Sequence, residues 1–184
     1  MAYSRGFLLT EIFPKNAVGF EIGIFRGAFA NSLVNKIHPK EYHMIDPWEY
    51  RSGWKRYDYN GKLLLSQDDV EWMVEDIRKR FDKPGIKIHR AYSYDVVNEF
   101  ADGYFDFGYV DGNHNYHAVL QDMRLFYPKI KDGGVMAGDD WNIKGGRVKK
   151  AVRTFTAEVG VKFNVRFGQF WFYKGGETNY NRNG

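Results

Sequence analysis

The stretch Phe105-Asp106-Phe107-Gly108-Tyr109-Val110-Asp111, continued by Gly112-Asn113-His114, constrains this chain more than any other. It is short, aromatic and apolar, with one carboxylate near its start and another at its end. That pattern predicts a buried strand from Tyr104 to Asp111 that runs out into a loop. A carboxylate at the C-terminal end of a central strand in an open α/β sheet faces the ligand crevice. Gly112 lets the backbone turn, and His114 follows within the loop. A later apolar run, Gly133-Gly134-Val135-Met136-Ala137-Gly138, ends in Asp139-Asp140. Two strand ends carrying acids, one with a histidine beside it, make a candidate divalent-metal and general-base site.

The flanking segments supply the rest of such a sheet. Ala17 to Ile22 reads as a strand, Gly23 to Gly27 as a glycine loop, and Ala28 to Ile37 as a helix. Glycines at Gly23 and Gly27 let backbone approach a ligand closely, and the helix N-terminus faces it. The spacing is neither that of a dinucleotide fingerprint nor that of a phosphate loop. Glu41 to Ile45 is a second strand, stopped by Asp46-Pro47. An acid at that point is placed to accept hydrogen bonds from ribose hydroxyls.

A helix capped by Asp68 or Asp69 runs to about Phe81, with Val70, Met73, Val74, Ile77 and Phe81 on its core face. Ile86 to His89 is a third strand. Ser93 or Tyr92, in the loop after it, is within reach of a base edge, and Val96 to Phe100 forms a helical turn. Tyr116 to Pro128 is a helix, Lys129 to Gly134 a turn, and Val135 to Gly138 the fifth strand. Val148 to Val159 is a helix, and Val161 to Lys174 a hairpin. The alternation predicts an α/β fold: a Rossmann-like, mostly parallel sheet with helices on both faces and an antiparallel C-terminal hairpin.

Length and composition set limits on this reading. A chain of 184 residues suits a single domain, 1–184. Within it, 1–16 is a leading segment, 49–67 an aromatic and basic insert suited to a lid or a dimer contact, and 175–184 a frayed tail. The absence of cysteine excludes disulfides and thiolate chemistry. No basic stretch leading into an apolar one opens the chain, and no apolar run reaches membrane-spanning length, so a cytoplasmic location is expected. The net charge of +4 is spread among acids rather than gathered in a stripe, which disfavours nucleic acid as partner.

Four motifs carry a family resemblance. Glu21-Ile22-Gly23 with Gly27, Ile45-Asp46-Pro47-Trp48, Tyr109-Val110-Asp111-Gly112-Asn113-His114, and Lys131-Asp132-Gly133-Gly134 leading to Asp139-Asp140 resemble class I S-adenosylmethionine-dependent methyltransferases. More narrowly, they are similar to the metal-dependent, macrocin-type sugar O-methyltransferases. The resemblance spans Val18 to Trp141. It implies a seven-stranded sheet with S-adenosylmethionine across the strand ends. Glu21, Gly23 and Gly27 would then shape the cofactor site and Asp46 would bind the ribose; Ser93, from its place in the loop after the third strand, and Asp111 are the further cofactor-site candidates. Asp111, Asp139 and Asp140 match the Mg2+ ligands of the relatives. His114 matches the general base of one branch, whereas another branch has Asp where this chain has Asn113.

The chemistry these residues suit is methyl transfer to a hydroxyl. The acceptor expected is a small molecule, with a sugar favoured by the polar insert. A catechol-type acceptor satisfies the same metal logic, and a non-catalytic binding domain with the same fold is the reading from a different class. A homo-oligomer is compatible with the aromatic insert.

Overall fold

The computed structural model describes residues 6–52, 56–57, 61 and 63–176. Trp54, Lys55, Asp58 and Tyr59 of the insert, the side chains of Arg56 and Tyr57, the first five residues and the tail beyond 176 lie outside the described residues.

The sheet is built from β1 (Val18–Ile22), β2 (Glu41–Ile45), β5 (Ile86–His89), β6 (Phe105–Val110), β7 (Ile130–Gly138), β8 (Asn164–Arg166) and β9 (Gln169–Tyr173). A separate two-stranded ribbon joins β3 (Arg56–Tyr57) to β4 (Leu63–Leu64). The helices are α1 (Ala28–Ile37), α2 (Gln67–Arg80), α3 (Ser93–Val96), α4 (Tyr116–Phe126) and α5 (Arg147–Val159), preceded by a π-helical turn at Leu8–Ile12. The seven strands lie in the order β5-β2-β1-β6-β7-β9-β8. The first five run parallel. β9 is antiparallel to both of its neighbours, so the hairpin places its second strand inside and its first at the edge.

This order puts a switch point between β1 and β6. Crossovers leave β1 toward β2 on one side, while β6 continues toward β7 on the other. The loops at their carboxyl ends therefore splay apart and leave a crevice.

Each face of the sheet carries its own apolar layer. One holds Leu33, Ile37, Met73, Ile77, Phe107 and Tyr109, under the leading segment, α1 and α2. The other holds Phe105, Met123, Phe126, Val152 and Phe155, under α4 and α5. Phe105 and Phe107 lie two residues apart yet belong to opposite layers. A register shift against β7 between them turns the strand over.

Within the sheet, aromatic rings cover glycines on the neighbouring strand. Phe20 pairs with Gly108, and a Cβ on Gly108 would stand 2.2 Å from the Phe20 ring. Gly19 faces Phe107, and Gly138 faces Phe170, in the same way. The glycines make room for rings to lie flat across the central strands, which concentrates apolar contact area where the sheet is most buried.

Two boundaries differ from those expected. α2 is capped by Ser66, not by Asp68 or Asp69: the Ser66 hydroxyl accepts from the Asp69 N–H at 3.2 Å, and Asp69 Oδ2 accepts from the Leu65 N–H at 2.9 Å. This reciprocal pair satisfies two N–H groups at the helix entry. β7 begins at Ile130 instead of Val135. The polar Lys131-Asp132-Gly133 stretch stays in the ladder because Gly133 N–H bonds to the Lys174 carbonyl at 2.8 Å.

Candidate active site

A cavity of about 830 Å³ opens at the carboxyl ends of β1, β2, β5, β6 and β7. That volume lies in the range of small-molecule sites. The loops after these strands build it, and backbone hydrogen bonds tie those after β1, β2, β6 and β7 each to a neighbouring strand end. Gly23 N–H bonds to the Ile45 carbonyl at 2.9 Å, and Asp111 N–H bonds to the Ile22 carbonyl at 2.8 Å.

Gly23 is demanded twice over. Its φ is +94°, and a Cβ there would stand 2.2 Å from the Asp111 carbonyl oxygen. Gly27 ends the same loop at φ +70° as the N-cap of α1, with the Phe81 ring against it, and does not itself line the cavity. Glu21 is buried at the cavity wall and accepts the Tyr42 hydroxyl. Burial, reinforced by the Glu21 charge, pushes the Tyr42 phenol well above its usual range, so it remains a donor.

Asp46 lies at the end of β2, at the cavity wall. Its Oδ2 accepts the Phe25 N–H at 2.9 Å and its Oδ1 accepts the Trp48 N–H at 2.7 Å.

Ser93, at the start of α3, is buried and donates its hydroxyl to Asp122 Oδ1. Asp122 is a cavity residue that the sequence reading passed over. It sits on the buried stripe of α4 with Val119, Met123 and Phe126. An acid on the apolar face of an amphipathic helix is the signal that marks it. Burial pushes its carboxyl up to about 6, with the Ser93 hydrogen bond opposing the shift.

The ends of β6 and β7 bring three groups together. Asp111, His114 and Asp140 each offer a ligand atom within 4.8 Å of the other two. His114 Nδ1 lies 3.0 Å from Asp140 Oδ2. Asp140 adopts φ +60°. Asp139, expected as the third carboxylate ligand, falls outside this group and outside the cavity lining. Its N–H bonds to the Val110 carbonyl at 3.3 Å, continuing the ladder past Gly138. The chain leaves the ladder at the left-handed Asp140, and that residue lines the cavity while Asp139 does not. Two carboxylates and an imidazole at this separation fit one divalent cation. The carboxylates suit Mg2+ or Mn2+, and the imidazole nitrogen shifts the match toward Mn2+.

The described beginning of the insert borders the cavity. Trp48, Glu49, Tyr50 and Arg51 line it, together with Leu64. The Tyr92 hydroxyl donates to Glu49, and Arg51 donates to the Tyr92 oxygen at 3.3 Å, which ties this segment to the loop after β5. Among the described residues, no helix is long and apolar enough to cross a membrane.

Comparison with known proteins agrees with this fold. Residues 20–141 match a family described as a methyltransferase domain. A protein of Acanthamoeba polyphaga mimivirus is 22% identical over 139 residues, which are 72% of this chain and 56% of the viral protein. This chain thus spans little more than half of that relative. Among solved structures, precorrin-6y C5,15-methyltransferase from Geobacter metallireducens superimposes with a TM-score of 0.64 at 12% identity, over 92% of this chain and 88% of that one. The O-methyltransferase NovP gives 0.62 at 15% identity, over 92% and 75%. At these identities the likeness is one of fold.

Proposed function

The chain belongs to the methyltransferase-domain family, and we propose that it transfers the methyl group of S-adenosylmethionine to a hydroxyl of a sugar or glycosylated small molecule, assisted by a divalent cation such as Mg2+. One observation carries this reading. Asp111, His114 and Asp140 converge at the ends of β6 and β7, in the same cavity as the Gly23 loop and Asp46.

Bound S-adenosylmethionine supplies a methyl group already activated on a sulfonium, so the protein has to position the acceptor and remove its proton. Asp46 is placed to accept ribose hydroxyls, and Glu21 and Gly23 to shape the wall beside them. Asp111 and Asp140, with His114 beside them, would hold a cation that orients two neighbouring hydroxyls and lowers the pKa of one. In the observed geometry, the Asp140 carboxylate faces His114 Nδ1. A proton on Nδ1 would make Nε2 the nitrogen that takes the acceptor proton, a role worth ~10²–10⁴-fold.

That pair also favours a second reading. With Asp140 engaged in orienting His114, base catalysis can proceed without a metal, as in other carboxylate–histidine pairs. Arg51, Glu49, Tyr50 and Tyr92 give the cavity a polar, aromatic rim, which supports a sugar over a catechol. A cytoplasmic setting goes with this reading.

The test is transfer of labelled methyl from S-adenosylmethionine to a panel of sugars, glycosides and catechols, with Mg2+, with Mn2+ and with EDTA. Metal-stimulated labelling of a sugar hydroxyl is expected. Labelling undiminished by EDTA selects the metal-free base, and labelling of catechols alone rejects the sugar.

A further inference from the structure

The outer face of α2 carries a pattern that the cavity does not explain. Val70, Met73, Val74 and Ile77 of this helix are buried in the core. The opposite stripe is Asp68, Trp72, Glu75 and Lys79, all exposed, at steps of four, three and four residues. That spacing is the seam of a two-helix packing. Trp72 stands near the middle of the stripe and is 62% exposed, and Leu65, just before the helix, is 65% exposed. Neither lines the cavity.

Charge is divided along the same helix. Every acid of α2 lies between Asp68 and Asp76, and every base between Arg78 and Arg80. The macrodipole accounts for acids in the first turn and bases in the last. It does not account for Glu75 and Asp76 beyond the midpoint, nor for an indole on the exposed face. Within the chain Glu71 pairs with Arg90, Glu75 with Lys79 at 3.7 Å and Asp76 with Arg80 at 2.8 Å. Asp68 and Arg78 stand exposed outside these pairs.

We propose that α2 packs antiparallel against α2 of a second copy of this chain, about a two-fold axis between Trp72 and Glu75. A two-fold interface uses one self-complementary patch twice. Reversing the helix sets Asp68 opposite Lys79 of the second copy, and Trp72 opposite Glu75 of the second copy. Each acidic half then faces a basic half, whereas parallel packing would set like charge against like. The two Trp72 and two Leu65 side chains supply the apolar area, and an aromatic near the centre of a contact is its usual anchor. The first turn of α2 also holds the cavity rim, since Gln67 accepts the Tyr50 N–H at 2.8 Å and donates to the Trp48 carbonyl at 3.1 Å. The second copy therefore packs on the helix that steadies that rim. A helix of 14 residues is ~21 Å long, which puts the contact at the small end of specific interfaces and the dimer in the micromolar range.

The test is sedimentation velocity of the full chain over a concentration series, at about 0.1 M and about 1 M salt. A monomer–dimer equilibrium is expected, weakened by the higher salt. Trp72→Ala, Asp68→Lys and Lys79→Asp should each weaken the dimer at least tenfold. Asp68→Lys combined with Lys79→Asp restores the opposition of charges and should recover dimerisation to within about threefold of wild type. The three positions are exposed, so each variant should keep the wild-type circular dichroism. A wild type that stays monomeric up to ~1 mM overturns the proposal and leaves this face to a different protein. A dimer that none of the single substitutions weakens overturns it by placing the contact elsewhere. A double variant as weak as the single ones overturns the antiparallel pairing.

Discussion

Asp46 Oδ2 accepts the backbone N–H of Phe25 at 2.9 Å, joining the end of β2 to the loop after β1 across 21 positions of sequence. The same carboxylate holds the Trp48 N–H through Oδ1, and Trp48 Nε1 returns a bond to the Phe25 carbonyl at 2.9 Å. Phe25 and Trp48 both have positive φ, 47° and 44°. Side chains rarely tolerate that region, so the acid secures two strained residues while it faces the cavity.

Asp46→Ala should therefore weaken S-adenosylhomocysteine binding at least tenfold and lower stability by about 1–3 kcal/mol, the cost of orphaned N–H groups. Calorimetry and urea melts read the two effects separately. Lost stability with full affinity would leave Asp46 as a structural staple only.

His114→Ala should cut turnover by ~10²–10⁴-fold and leave S-adenosylhomocysteine affinity within about threefold. Asp140→Asn should lower turnover as well. It should also abolish metal stimulation if Asp140 is a ligand, but leave metal dependence unchanged if it only orients His114. Full activity in His114→Ala would move the base to another group.

Asp122 gives a pH signature in the apo protein. Burial raises its folded pKa to about 6, above the ordinary aspartate value of 3.8. An acid with a raised folded pKa adds stability below its unfolded pKa, and that stability is lost as pH rises through the folded one. Ionised Asp122 thus costs the fold about 3 kcal/mol near neutral pH. Asp122→Asn should raise the melting temperature at pH 7.5 and have little effect near pH 4. A lower melting temperature of Asp122→Asn at pH 7.5 would contradict the linkage.

His43 and His89 supply a dependence of opposite sign. His43 Nδ1 lies 2.9 Å from His89 Nε2, and His43 Nε2 lies 2.7 Å from Glu41. Burial is the main cause lowering both histidines, against Glu41 and Glu99, with Lys87 adding to the lowering. A histidine whose folded pKa is depressed adds stability above its unfolded value of ~6.5 that fades as pH falls toward the folded one. In the Asp122→Asn background, where the acid no longer contributes, melting temperature should fall between pH 7.5 and 5. His43→Gln should flatten that slope. An equal slope in both proteins would place the acid sensitivity elsewhere.

Much of the fold was legible because local chemistry agreed with the tertiary outcome. Gly27 and the apolar spacing marked α1 at both ends, and Pro84-Gly85 set the start of β5. The start of β7 was not legible, because Lys131-Asp132-Gly133 has turn composition while its backbone pairs with Lys174, a partner more than forty positions away. At the site, strand-end acids pointed to Asp46, Asp111, Asp139 and Asp140, and all but Asp139 line the cavity. Local reading could not tell Asp139 from Asp140, since the backbone turn that separates them is set by β6 and the loop at Gly168. Asp122 was missed because a lone acid in a helix reads as surface until the apolar stripe around it is counted.

Calorimetric titration of S-adenosylhomocysteine into the wild-type protein, with Mg2+ and then with EDTA, tests the central claim most directly. The account predicts saturable one-to-one binding in both conditions, because Asp46 and Ser93 stand after β2 and β5, while the Asp111–His114–Asp140 group stands at the ends of β6 and β7. No binding in either condition would contradict it.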